Sequence, residues 1–423
     1  MLDVLWGIGG MAVLLAAAVA ISTDRRAIAL RTVGAALALQ VVFGVLVLYV
    51  PPGRAALSAA TEGVQAVIDS STEGISFLFG SLVPEDGVIF ALQVLPIIVF
   101  FAALTSVLYH WKVLQRVVAV LGAGLHVLLG TSRAESVNAA TNIFLGQTES
   151  PLVIKPFVRR ISTSSLFAVM TGGLATVAGS VLVGYSLLGA ELDQLIAAAF
   201  MAAPGALLMA KIVVPETDEV DADGVPVAAV EGSTEGEEAS DDERDEVPDE
   251  EQHVNVIDAA ANGAAQGLKL AANIGAMLLA FISLIALLNL LLGTAGGWVG
   301  LEDLTFERIL GYVFAPVMFV IGVPWAEAVQ AGSFVGQKTV VNEFVAFSNF
   351  GPVADQFSAK TQAVVTFALT GFANLGSLAI LLGGLGGLAP ERRPEIARYG
   401  VRAIAAATLA NLMSAAIAGI LVG

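Results

Sequence analysis

Long apolar runs separated by short polar joints dominate this chain. Eight of them, 4–22, 32–50, about 88–109, 163–186, 190–213, 268–293, 361–383 and 396–421, have membrane-spanning length, since a helix needs about 20 apolar residues to cross a bilayer. Between them lie three kinds of amphipathic segment. Residues 54–87 read as a helix on the surface, 112–130 and 307–322 as interfacial helices, and a further segment from Asn255 leads into the sixth span. Two stretches fit neither class. Residues 135–160 are apolar at both ends, but Gly146, Gln147, Thr148, Glu149 and Ser150 break them into arms of about ten residues, each too short to span. Residues 326–358 are broken in the same manner and carry Glu343. Exposed backbone at membrane depth is tolerated only where it lines a cavity, so re-entrant hairpins with functional tips fit these stretches. The alternative is a kinked helix whose glutamate is satisfied by a neighbour. The pattern predicts an all-α polytopic membrane protein with about eight transmembrane helices and two re-entrant hairpins.

An internal repeat organises the elements. AESVNAATNIFLGQ (134–147) matches AEAVQAGSFVGQ (326–337), and TGGLATVAGSV (171–181) matches TGFANLGSLAI (370–380), setting Thr176 opposite Asn374. Each half reads as an interfacial helix, a hairpin with a carboxylate, then a Gly-rich helix expected to unwind, at Thr176–Gly179 in one half and Asn374–Ser377 in the other. Three spans separate the hairpins. That number is odd, so the second repeat enters from the opposite face, and inverted repeats with interrupted helices mark secondary transporters. The expected division is a scaffold of 1–111 with 254–306, a first repeat at 112–213, an acidic loop at 214–253 and a second repeat at 307–423.

Charge changes the picture in two places. The net charge is −17, yet 17 Asp and Glu against Arg244 alone lie between Glu216 and Glu251. A segment so charged and so poor in apolar residues is expected to be a disordered, solvated loop. Lys and Arg give the orientation. Sixteen fall on the side of the loop after the first span, and only Arg54, Arg308, Lys338 and Lys360 on the other. If the first basic loop is cytoplasmic, both termini lie outside and the acidic loop lies inside. With no Cys, disulfides, thiolate chemistry and Cys-based metal sites are excluded. The three scattered His (His110, His126, His253) make no HExxH or similar ligand spacing and read as interfacial or loop residues. No cleavable signal peptide is evident.

The candidate chemistry sits in the repeats. Two carboxylates, several amides and hydroxyls at one depth suit a neutral solute bearing many hydroxyls, together with a small cation. Asn142 and Thr176 carry the hard oxygens sodium prefers, and Phe372 offers a ring face to a planar solute. Close packing through small residues is the competing account of the Gly-rich helices.

Through GQTESPLVIKPF, SSLFAVMTGGLATVAGSV, MAAPGALLMAKIVVPET, GQKTVVNEFVAF and GFANLGSLAI the chain resembles the concentrative nucleoside transporter family, over nearly its whole length outside the acidic loop. The resemblance implies nucleosides such as uridine or adenosine as substrate. Gln147, Thr148 and Glu149 would contact the base, with Val181 lining the pocket. Glu343, Asn374 and Ser377 would hold the ribose, with Phe372 nearby. Sodium, the coupling ion, would be held by the Asn142 and Thr176 side chains and the Leu145 and Val177 carbonyls. The chain departs modestly, with Thr176 and Leu145 where relatives often have Ser and Val. The resemblance also implies a homotrimer in the cytoplasmic membrane, surrounded by lipid, with elevator-like movement of the hairpin domain and no nucleic-acid partner. Three rivals stay open: a proton-coupled nucleoside transporter, an intramembrane enzyme using Glu149 and Glu343, and a passive channel. No nucleophile–base pair or metal triad supports the enzyme.

Overall fold

A computed structural model describes residues 2–84, 89–227, 254–298, 300–301 and 303–423. Among these the only extended pairing is an isolated bridge between Val220 and Pro226; everything else regular is helical. The chain runs α1 (Leu2–Ala20), α2 (Leu30–Gly44, prolonged to Tyr49 by a π turn) and α3 (Pro51–Phe79). Then come α4 (Leu95–His110), α5 (Val113–Leu129), α6 (Arg133–Thr141) and α7 (Lys155–Val158), followed by α8 (Thr163–Ala175), α9 (Gly179–Leu187) and α10 (Leu192–Val213). The second half holds α11 (Val256–Trp298), α12 (Phe306–Val320), α13 (Trp325–Val340) and α14 (Glu343–Phe350), then α15 (Ala359–Leu369), α16 (Leu375–Leu388) and α17 (Arg393–Val422).

Seven helical stretches among the described residues have the length and apolarity to cross a membrane. The expected span 361–383 is not one of them: it is two short helices, α15 and α16, parted at 370–374, a longer break than the one at 176–178 within Thr163–Leu187. Nor is the sixth span preceded by a separate amphipathic segment. Val256–Trp298 is one helix of 43 residues, uninterrupted because no proline or turn cluster stops it.

Burial separates an inner from an outer set. The windows of Thr163–Leu187 and Leu192–Val213 are 94% and 89% buried, against 11% for Val256–Trp298 and 17% for Phe90–His110. The inner helices α8, α10, α15 and α17 pack on one another. Small residues permit this: Gly172, Gly173 and Ala175 in α8 and Ala197, Ala198, Ala202, Ala203 and Ala206 in α10 are all buried. Lipid is as apolar as leucine, so close backbone approach rather than hydrophobicity holds such helices together. The outer pair α4 and α11 pack on each other through Gly263 and Gly267, where a Cβ would fall 2.7 Å and 2.8 Å from α4 backbone.

The repeat is visible as structure. In each half an amphipathic helix (α5, α12) packs on the first hairpin arm (α6, α13); α12 and α13 meet at 117°. A glutamate at the start of each arm then holds the N-terminus of the next inner helix. Glu135 Oε1 accepts from Ser165 Oγ at 2.6 Å beside the N-cap Ser162 of α8. Glu327 Oε2 accepts from the N-cap Ser358 of α15 at 2.9 Å. Helix N-termini carry unpaired N–H groups and a partial positive charge, so a carboxylate fits there.

The acidic segment departs from expectation. Its first part, through residue 227, is an ordered turn. Ala222 O accepts from Arg133 N at 2.8 Å and Gly224 O from Ser162 N at 2.9 Å, at the starts of α6 and α8. Glu216 accepts from Ser162 Oγ at 2.6 Å. Lys211, already paired with buried Glu135 at 2.6 Å, stands 3.7 Å from Glu216. Exposed helix ends and a buried ion pair give this stretch partners that its composition does not reveal. Residues 228–253, the remainder of the expected loop, lie outside the described residues.

Candidate functional site

Two helix breaks and two hairpin tips make the site. The first break follows Ala175. Thr176 is extended (φ −107°, ψ 174°), a conformation that suits a β-branched residue, and its hydroxyl donates to Gly172 O at 2.8 Å. Helix α9 resumes at Gly179, the residue expected to be the last of the unwound stretch, so the break is one residue shorter than expected. The first hairpin tip seats against this break: Gly179 N donates to Phe144 O at 3.0 Å. A Cβ on Gly172 would lie 3.1 Å from Asn142 Nδ2, and one on Gly173 only 2.9 Å from Gln147 Cβ. The adjacent glycines therefore make room for the tip.

Asn142 closes α6 and is fully buried. Its Oδ1 accepts from Ser150 Oγ at 2.6 Å, and its amide donates to Asn138 Oδ1 at 3.0 Å. The Leu145 and Val177 carbonyls belong to irregular backbone of buried residues and accept no hydrogen bond among the described residues. Unpaired carbonyls in a buried setting are rare, and these two stand near Asn142 and Thr176 along the chain, Leu145 one turn after Asn142 and Val177 next to Thr176. Gln147 Oε1, Asn138 Nδ2 and Thr171 Oγ1, all buried, also lack a partner among the described residues. Of the tip, Gln147 is buried while Thr148 and Glu149 are exposed. Thr148 faces α16, with its Cγ2 3.2 Å from where a Cβ on Gly384 would stand. Val181 is 1% exposed, inside α9.

The second break covers 370–374, not Asn374–Ser377, and Ser377 lies in the first turn of α16. The reason is capping. Asn374 is the N-cap, and its Oδ1 accepts from Ser377 N at 2.8 Å, which nucleates the helix there. Its Nδ2 donates to Glu343 Oε2 at 3.0 Å, so Asn374 joins the second hairpin to the helix N-terminus. Glu343 itself starts α14 behind the N-cap Asn342, whose Oδ1 accepts from Val345 N at 2.9 Å. The structural counterpart of Thr176 is Thr370 rather than Asn374. Each ends its helix, and Thr370 Oγ1 likewise donates four residues back, to Thr366 O at 2.7 Å. Phe372, half-buried, lies between, and its N–H donates to Thr176 O at 3.2 Å, so the two breaks touch.

Several contributing residues carried no sequence signal. Tyr185 stacks on Phe347 at 4.5 Å and meets Phe344 edge-on at 4.8 Å, packing α14 on α9. Lys338, counted by sequence among outer-side charges, is 1% exposed and donates to Ala368 O and to Asn411 Oδ1. Asn411 is an ordinary polar residue in sequence, and only its partners single it out; Ser150 was legible as part of the polar break but not as the partner of Asn142.

The chain is similar to known proteins over most of its length. Three family models cover most of the chain: the Na+ dependent nucleoside transporter N-terminus at 9–82, nucleoside recognition at 91–191, and the Na+ dependent nucleoside transporter C-terminus at 194–419. The chain is similar to the uncharacterized transporter YutK of Bacillus subtilis, with 52% identity and 100% of both chains covered. It is also similar to the nucleoside permease NupC of Helicobacter pylori, with 45% identity over 99% of this chain and 98% of the relative. Among solved structures, CNTnw in an inward-facing substrate-bound state superposes with a TM-score of 0.90 at 51% identity, covering 99% of this chain and 98% of that one. A variant of CNTnw in an outward-facing state gives a TM-score of 0.91 at 50% identity, covering 100% and 98%.

Proposed function

The chain belongs to the Na+-dependent nucleoside transporter family, and from that premise we propose that it is a symporter carrying nucleosides into the cell on the sodium gradient. It is a multi-pass membrane transporter of the alternating-access kind and not an enzyme. One observation carries the finer reading: the two helix breaks touch, with unpaired oxygens at one and a carboxylate–amide pair at the other.

At the first break, Asn142 Oδ1, Thr176 Oγ1 and the Leu145 and Val177 carbonyls form an all-oxygen donor set for sodium, as a hard cation requires. Asn142 and Thr176 engage Ser150 and Gly172, contacts their remaining lone pairs leave room beside. At the second break, the Glu343 carboxylate accepts from two ribose hydroxyls while Asn374 and Ser377, at the α16 N-terminus, orient it. Gln147, Thr148 and Glu149 read the base, Phe372 packs on it and Val181 backs the pocket. Charge-assisted bonds are about twice as strong as neutral ones, which makes Glu343 the main affinity group.

The hairpins, α8–α9 and α15–α16 move as an elevator against a scaffold of 1–111 and 254–306, the repeats being 112–213 and 307–423. The low burial of α4 and α11 supports a scaffold role for them, with exposed faces for lipid and for a homotrimer. Both termini lie outside. The burial of Lys338 removes one of four charges from the outer side and so strengthens the bias.

Concentrative uptake of labelled uridine into proteoliposomes, with and without an inward sodium gradient, tests the reading. Uptake is expected only with sodium. Uptake that follows pH alone would make protons the coupling ion, and uptake that never exceeds equilibrium would make the protein a passive pore.

A further inference from the structure

The two breaks are tied together by a second, deeper link, made by side chains from outside the breaks. Asn411, in the middle of α17, is 1% exposed. Its Nδ2 donates to Ala175 O at 2.7 Å and to Thr370 O at 2.9 Å. Ala175 is the last residue of α8, next to Thr176; Thr370 opens the second break. Both protons of one amide therefore hold the loose carbonyl ends of the two interrupted helices. Its Oδ1 accepts from Lys338 Nζ at 2.8 Å, and Lys338 Nζ also donates to Ala368 O at 2.7 Å. Lys338 is on α13, the arm leading to Glu343. One buried cluster thus touches the α8 break, the α15 break and the second hairpin.

Packing leaves the cluster little freedom. A Cβ on Gly371 would stand 2.3 Å from Asn411 Oδ1 and 2.7 Å from Ala175 O, so only glycine permits the crossing. The ammonium also fixes which way the amide points, since an acceptor must face Lys338 and both donors must then face the carbonyls. A buried cation with two polar partners in a membrane interior is costly to build and is a functional-site hypothesis by default.

We infer that Asn411 and Lys338 are positioning residues that couple the ion pocket at the first break to the ribose groups at the second. Ion binding that draws in Val177 O turns the peptide at Ala175–Val177; through Asn411 the turn shifts Thr370, and with it the chain leading to Asn374 and Glu343. This rests on the sodium–nucleoside reading above. Such coupling is reciprocal: sodium tightens nucleoside binding by the factor by which nucleoside tightens sodium binding, commonly about 5- to 150-fold.

The test measures uridine affinity of purified protein with sodium absent and saturating, and sodium affinity with and without uridine. Asn411→Asp keeps the shape and the acceptor for Lys338 but removes both amide donors. The expected result is a sodium-induced gain in uridine affinity reduced to less than about threefold, with sodium-free uridine affinity within about threefold of the parent. Asn411→Ser, which retains one donor, should keep an intermediate gain, and Lys338→Met, which frees the amide to rotate, a reduced one. If Asn411→Asp fails to fold, these two carry the test. An unchanged gain in every folded variant overturns the inference. So does equal loss of both ligands' separate affinities, which would make the cluster structural only. A parent protein that shows no sodium effect on uridine binding would instead overturn the function proposed above.

Discussion

Glu343 and Thr176 are the residues whose chemistry is easiest to separate from their structural duty. In Glu343→Gln an oxygen still accepts from Asn374, so the local fold survives, but the charge-assisted acceptance from ribose proposed above would be lost. A hydrogen bond to a charged group is worth about 1.5–3 kcal/mol, so uridine uptake is expected to fall about a hundredfold. 2′-Deoxyuridine should lose part of its disadvantage. A panel of uridine, 2′-deoxyuridine, cytidine and adenosine checks this, and an intact ribose preference in the variant would mean the ribose lies elsewhere. Glu149→Gln, at the exposed tip, should change discrimination among the bases in the same panel. Thr176→Val suits the extended backbone at that position and removes one oxygen at nearly constant volume. Apparent sodium affinity should drop, with a stability loss of about 1–3 kcal/mol because the Gly172 carbonyl loses its hydroxyl partner; unchanged sodium dependence would remove Thr176 from the ion site.

Among the elements, the acidic segment divides in two. Beyond residue 227 its composition is that of a solvated loop, and doubling a loop's length costs only about 0.6 kcal/mol in closure entropy. Replacing 228–250 by a short Gly/Ser linker is therefore expected to leave uptake per folded protein unchanged. The turn before it is different, because it supplies partners for N–H groups of Arg133 and Ser162. Gly224 has φ +87°, and a Cβ there would fall 2.8 Å from Ser132 Oγ and 2.9 Å from Ser165 Oγ. Gly224→Val is expected to destabilise by about 2–4 kcal/mol, from backbone strain and overlap together. A lowered melting temperature in detergent would show it; an unchanged one would mean the turn does not hold the starts of α6 and α8.

At the scale of the molecule the work is done by two copies of one motif brought together at their interruptions. Entry of one positive charge per nucleoside at 100 mV supplies about 2.3 kcal/mol, enough for a roughly fifty-fold gradient without any sodium concentration difference. Proteoliposomes clamped with valinomycin and potassium at equal sodium on both sides should therefore still accumulate uridine when the interior is negative. Failure to respond to voltage, with sodium dependence intact, would indicate compensating charge movement.

Apolar run length alone determined the polytopic helical class, because a bilayer admits few other structures. The breaks within 135–160 and 326–358 were legible for the same reason: polar clusters there cannot sit in a spanning helix. The matching segments that contain Glu135 and Glu327 were legible as a repeat, but the role of the two glutamates was not, because their partners Ser165 and Ser358 stand 30 and 31 residues further along the chain. The exact register of the second break was not, because Asn374 resembles Thr176 in polarity but acts as an N-cap, which only the hydrogen bond to Ser377 reveals. The order of 216–227 was hidden behind its charge; its partners are helix ends more than fifty residues away in sequence. Lys338 and Asn411 looked like a surface charge and a stray amide. What they do depends on three carbonyls contributed by two other helices, and no local pattern records which backbone groups a distant helix leaves unpaired.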